Sequence, residues 1–303
     1  MASGKGKYVI NISGSPFFPS YYSAKGDPKG MCGDTETEQF DSVHSREKHG
    51  GLLPLKYCLS SGYDEKMLSI YDACKTVMAG DIILFSGKAS TSRCIEAFCN
   101  SRWSHIAIVF YDPCIDKGHT PLLLESAASR DEANDVYLST LVTGVRVVRM
   151  ADCLRKYRGH CVSLRRLQMP SLSIRLQFNS YANDIIMKFK NENHGKPYEH
   201  RKYVFVFAKI GFCGPIYGDT CKSYFCSQLV AECYQRMGLL PCGTWSKRAN
   251  QYLPNDFSVL GAPLPLIAPK TFFGQSSLGV EEQIDTSITT NSANISFQAE
   301  DFE

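Results

Sequence analysis

The chain has 303 residues, 44% apolar and 12% aromatic, enough to bury the core of one moderate domain or two small ones. Charged residues make up 21% and the net charge is +3, ordinary values for a soluble globular protein that single out no class of partner. No apolar run approaches the ~20 residues that cross a bilayer.

The best candidate for a span, YVFVFAKIGF at 203–212, is short and contains Lys209. The basic start, MASGKGKYVINISGSPFFP, has too short an apolar stretch to read as a secretory signal. Thirteen cysteines are scattered, odd in number and without a C-x-x-C pair. That pattern fits neither a disulfide framework nor a zinc site, so most read as reduced, small, buried residues of a cytoplasmic protein. No cofactor or metal is expected. His160, His194 and His200, with Glu192 and Glu199 nearby, lack the spacing of convergent metal ligands and read as surface residues. No phosphate-binding or dinucleotide glycine motif is present.

Three segments follow from composition. Residues 1–55 form a polar extension, partly without fixed structure. Residues 56–272 form the packed domain. Residues 273–303 read as a disordered acidic tail: beyond Lys270 there are six acidic residues and no Lys or Arg. Residues 144–209 carry the opposite bias, with 14 Lys or Arg against 4 Asp or Glu. Two readings of that bias stand, a solvated basic surface and a contact for an anionic partner such as a lipid headgroup or nucleic acid; the former is the simpler. The tail has the charge to fold back onto it.

In chain order, DEKMLSIYDACKTVM (64–78) has helical spacing, and GDIILFSG (80–87) reads as a buried strand between glycines. SRCIEAFCN (92–100) reads as a short helix. SHIAIVFYD (104–112) and PLLLES (121–126) read as a hairpin joined by DPCIDKGHT. VRVVRM (145–150) and CVSLRRL (161–167) are further strands, and residues 172–191 are helical. YFCSQLVAECYQRMGLL (224–240) is the clearest helix, with apolar residues recurring every three to five and Gly238 at its end. The sum is an α+β architecture: a short, mostly antiparallel sheet with helices around it.

Three residue types in this pattern carry chemistry. Cys226 lies in the first turn of the 224–240 helix, where the helix dipole favours a thiolate, with Ser223 as the candidate N-cap. Cys221 and Cys233 compete with it on position alone. His105 heads a strand whose alternation sets His105, Ala107 and Val109 on one face. A hairpin centred at 115 places Glu125 directly opposite His105, close enough for a carboxylate to orient an imidazole. Trp103, just before this strand, is a packing residue or lines the cleft. A thiolate attacks an acyl carbon, an imidazolium stabilises it and protonates the leaving group, and an acid fixes the imidazole.

GDIILF, WSHIAIVF, LLLES, GKPYE and YFCSQLVAECYQRMGLL occur in an order that resembles the permuted papain-like enzymes. These are the YiiX-like relatives of the NlpC-type peptidases, akin to lecithin:retinol acyltransferase and a poxvirus protein group. The resemblance covers about residues 78–260. It implies a permuted papain-like (NlpC-type) fold with the nucleophile helix packed on the sheet. It implies Cys226 as nucleophile, His105 as base and Glu125 as orienting residue. Tyr198 matches a tyrosine beside the nucleophile that donates to the oxyanion, and PNDF at 254–257 matches a segment closing the domain. The implied activity is a cysteine hydrolase of a peptide, amino-acid or lipid amide or ester. The alternatives are an acyltransferase or lipid-directed hydrolase of the same fold, a catalytically silent scaffold, and, more remotely, a nucleic-acid binder. The long segment between PLLLES and GKPYE has no counterpart in the resemblance.

Overall fold

The computed structural model describes residues 67–99, 101–128, 133–199, 222–243, 246–261, 264, 266 and 275–287. They belong to one compact unit. The extension at 1–55, Cys221 and His200 lie outside the described residues.

The elements, in order, are β1 (Leu68–Ser69), α1 (Ile70–Thr76), β2 (Ile82–Ser86), α2 (Ser90–Cys99), β3 (His105–Phe110), β4 (Leu122–Ala127), β5 (Gly144–Arg149), α3 (Met150–Lys156), β6 (Cys161–Gln168), α4 (Leu172–Asn193), α5 (Cys226–Arg236) and β7 (Ser277–Asp285). The strands form one sheet in the order β1-β7-β6-β2-β3-β4-β5. Only the β1–β7 pair is parallel. Among the described residues no helix is long and apolar enough to cross a membrane.

Both faces of the sheet are covered, which explains why β2 reads as an unbroken apolar run instead of alternating: all five of its residues are buried. Ile82, Leu84, Ile106, Ile108, Leu122, Leu124, Val145 and Val147 pack with Phe178, Ile186 and Phe189 of α4 and Leu229, Val230 and Cys233 of α5. Ile83, Phe85, Ala107, Val109, Leu123, Val148 and Leu164 pack with Ala73 and Cys74 of α1 and Cys153 and Leu154 of α3. Each strand therefore sends alternate side chains into two separate cores. Asp81 ties β6 and α4 to the head of β2. Its carboxylate accepts the Leu167 and Met78 amides at 2.8 Å each and pairs with Arg175 of α4 at 2.9 Å.

The β3–β4 register differs from the sequence expectation. Ile108 faces Leu124 and Phe110 faces Leu122. Continuing that register sets Glu125 beside Ala107, two residues along from His105. The side-chain period of a strand is two, so this displacement keeps Glu125 on the His105 face. The pair is diagonal instead of directly opposed, within reach of two long side chains.

The acidic segment also departs from expectation. Part of the region read as a disordered tail, Ser277–Asp285, is strand β7, antiparallel to β6. Its carboxylates have partners that a charge count does not see. Glu282 pairs with Arg166 of β6 at 2.7 Å. Glu281 accepts from Arg102 at 2.9 Å, from the Trp103 indole at 3.2 Å and from the Val259 amide at 2.8 Å. Trp103 is a buried packing residue. The fold-back of acid onto base thus exists, as a strand in the sheet.

These contacts set one expected outcome. Glu281→Ala leaves a buried indole N–H and a guanidinium without their acceptor, so it lowers unfolding free energy in urea by about 2 kcal/mol. Glu281→Gln retains one acceptor and loses less.

Candidate active site

The antiparallel turn of β3 into β4 brings the start of β3 and the end of β4 to one end of the sheet. His105 stands at the first position of β3 and Glu125 near the end of β4. His105 Nε2 lies 2.6 Å from Glu125 Oε2. With Nε2 engaged there, the ring nitrogen left for Cys226 is Nδ1. Cys226 is the first residue of α5 and hydrogen-bonds the His105 ring. The three residues singled out in the sequence are therefore in contact through the imidazole. Cys226 is 2% exposed, and the His105 side chain, 24% exposed, presents the open side of the pair.

Electrostatics follow from this contact. Burial works against a charged imidazole, but hydrogen bonds to Cys226 and Glu125 and the charge of both outweigh it and raise the His105 pKa to about 10. Burial also works against the Glu125 carboxylate. The Arg146 guanidinium and the His105 hydrogen bond reverse that effect and hold the carboxyl at about 2. Arg146 lies directly across the β4–β5 ladder from Glu125, with Nε 2.8 Å from Oε1.

Tyr198 reaches the same place by a different route. Segment 195–199 lies along β5, with Gly195 N–H donating to Val145 and Val145 N–H donating to Lys196, both at 2.8 Å. A side chain at Gly144 would meet the Lys196 carbonyl at 2.1 Å, and its φ is +93°, so glycine is required for this approach. Tyr198 then bridges to Tyr224, two residues before Cys226. Burial, then the charge of Cys226, pushes its phenol well above the usual range, so the hydroxyl remains a donor.

Some expectations are corrected. Ser223 does not cap α5. Phe225 is the N-cap with no side-chain cap bond, and Ser223 Oγ donates to Glu199 at 2.8 Å. Cys233, the rival nucleophile on the same helix, faces the core, where burial pushes its thiol well up. His194 is no free surface residue, because it bonds Asp135 at 2.7 Å. Among the described residues no group of three or more His, Cys, Asp or Glu is placed to hold a metal ion.

Arg146 is the site residue the sequence reading passed over. The sequence signal is weak: VRVVRM sets Arg146 between two valines, and the carboxylate across the ladder is what shows that it is buried with a partner. Part of the basic bias of 144–209 is internal, with Arg146, Arg165, Arg175 and Lys190 buried. Arg146, Arg149, Arg166, Arg175 and Lys190 each pair with a carboxylate on another element.

Residues 76–247 match the family described as permuted papain-like amidase enzyme, YaeF/YiiX, C92 family. No curated protein matches the sequence. Solved structures similar to it include the metalloprotein YiiX of Escherichia coli O157:H7, at 18% identity and a TM-score of 0.34. That likeness covers 53% of this chain and 66% of the YiiX chain. Since the family match spans more than half of its length, the chain belongs to the permuted papain-like amidases and has their fold.

Proposed function

We propose that this chain is a cysteine hydrolase that cleaves an amide or ester through a thioester acyl-enzyme. The observation that carries the reading is His105 held between Glu125, at 2.6 Å, and the Cys226 thiol at the start of α5. Cys226 gives its proton to His105 and attacks the carbonyl carbon as thiolate. The tetrahedral oxyanion takes hydrogen bonds from the Tyr198 hydroxyl and from backbone N–H groups at the start of α5. As it collapses, the C–N or C–O bond breaks and the His105 proton passes to the leaving amine or alcohol. Water then gives a proton to His105 and attacks the thioester. The acid leaves, and the thiolate–imidazolium pair is restored. Glu125 keeps the imidazole oriented throughout and stabilises its charge.

Hydrolysis needs only water as acceptor, which favours it over acyl transfer to a second nucleophile. A silent scaffold has no use for an imidazolium and a carboxylate set against a thiol, since burying charged groups opposes folding. The five partnered cations of the 144–209 segment weaken the lipid-surface reading of that region.

Two outcomes are expected. In iodoacetamide labelling at pH 6 with peptide mass mapping, Cys226 is modified faster than the exposed Cys94, Cys114 and Cys242, although it is the more covered. His105→Ala removes about tenfold or more of that rate. Equal labelling of all cysteines, indifferent to His105, would sink the enzyme reading. With acyl p-nitroanilides as substrates, Cys226→Ala abolishes turnover and His105→Ala lowers it by about 10²-fold or more. The pH profile has a defined sign. The His105 pKa is raised, so its proton is present below and lost as pH rises through about 10. Turnover therefore holds through neutral pH and falls near pH 10. A fall between pH 6 and 7 would contradict the ion pair.

A further inference from the structure

We propose that Arg146 is a positioning residue that completes a four-membered network of charges, Cys226–His105–Glu125–Arg146, and sets the pH range over which the thiolate exists. The proposal rests on the cysteine-hydrolase reading above and assigns it a fourth residue.

The geometry is specific. The Arg146 and Glu125 side chains are each 1% exposed, and the two residues are direct partners across β4 and β5. The guanidinium Nε donates to Oε1 at 2.8 Å, while Oε2, the other oxygen of the same carboxylate, holds His105 at 2.6 Å. Arg146 Nη1 also donates to the Val142 carbonyl at 3.1 Å, so the chain entering β5 holds the guanidinium in place. One carboxylate oxygen is thus taken by the arginine and the other by the histidine. The carboxylate has no freedom to rotate away from the imidazole.

Charge makes the network more than a brace. In the reactive state Cys226 is −1, His105 +1, Glu125 −1 and Arg146 +1, a buried set that sums to zero. Without Arg146 the set holds one excess negative charge. The least costly remedy is a proton, taken up by the thiolate or by the carboxylate that supports the imidazolium. Either uptake ends the reactive state, and either occurs at higher pH than in the balanced set. Among the described residues, Tyr198 and Glu199 also lie at this end. Tyr198, from segment 195–199, remains a neutral phenol beside Cys226. Glu199 is bonded by Ser223.

The test measures iodoacetamide labelling of Cys226 from pH 4 to 9 in the full chain, as wild type, Arg146→Gln and Arg146→Lys, with urea unfolding alongside. In Arg146→Gln the acid limb of labelling moves to higher pH by about one unit or more. In Arg146→Lys, which keeps the charge, it stays within about 0.3 unit of wild type. A purely structural arginine would lower stability in both variants and leave the limb of the folded protein where it was, and that result overturns the proposal. If Arg146→Gln does not fold, Arg146→Met, neutral and of similar length, decides: a limb moved up by about one unit or more supports the proposal, and an unmoved limb overturns it. Failure of the underlying reading shows differently, as wild-type Cys226 labelling that is slow and indifferent to His105→Ala.

Discussion

A carboxylate with 1% of its side chain exposed does not remain ionised unaided, and Glu125 is that carboxylate. Its charge exists because Arg146 approaches one oxygen and His105 the other. Everything at this end of the sheet depends on that pairing. The imidazole keeps its orientation because the carboxylate is ionised, and the carboxylate is ionised because the guanidinium is buried with it. Neither partner tolerates loss of the other, since a buried charge left alone destabilises by several kcal/mol, about 3–5. The site therefore arises from the sheet, as one rung of the β4–β5 ladder with an imidazole set diagonally across the next.

The sheet delivers this rung because both of its faces are buried. Side chains alternate between two cores, so the face of each residue is fixed and register errors of one residue are excluded. His105, Glu125 and Arg146 sit on the same face as Ala107, Leu123 and Val148. Cys226 arrives from the opposite core, at the first residue of α5. The two meet at the strand ends, where His105 opens β3 and the sheet no longer separates its faces. This explains why the nucleophile belongs to a helix and the base to a strand terminus.

Much of this was legible in the sequence, for physical reasons. The SHIAIVF and LLLES runs show strands by composition, and the Cys226 helix shows its period clearly. Hairpin symmetry gives the right face for Glu125 and the wrong rung, because parity is fixed by burial whereas register depends on the exact form of the connection. Residues 112–121 contain a short 3-10 turn with Asp116 and Lys117 at positive φ, which no turn motif announces. α3 was missed because seven residues, MADCLRK, are too few to show a period. Arg146 was missed because an arginine in a basic stretch reads as surface. Only its partner across the sheet shows otherwise.

Strand β7 shows the same blindness and the consequence it carries. Counting charge along the chain shows an acidic tail able to fold back onto a basic segment but not the form this takes, a strand of the sheet joined to β6 through Glu282 and Arg166. Glu281 reaches further, to Arg102 and Trp103, and Trp103 is two residues before His105. The Arg102 guanidinium lies over the Trp103 ring at 4.4 Å, and the indole is buried in the core that holds α5. The chain thus enters β3 through a segment clamped by a strand from the far end of the sequence. Local order at His105 depends on a contact across 178 residues, between Trp103 and Glu281. A contact of that separation carries a loop-closure cost that the neighbouring strands of the sheet offset. The base of the site is therefore tied to the strand that linear charge patterning had assigned to disorder.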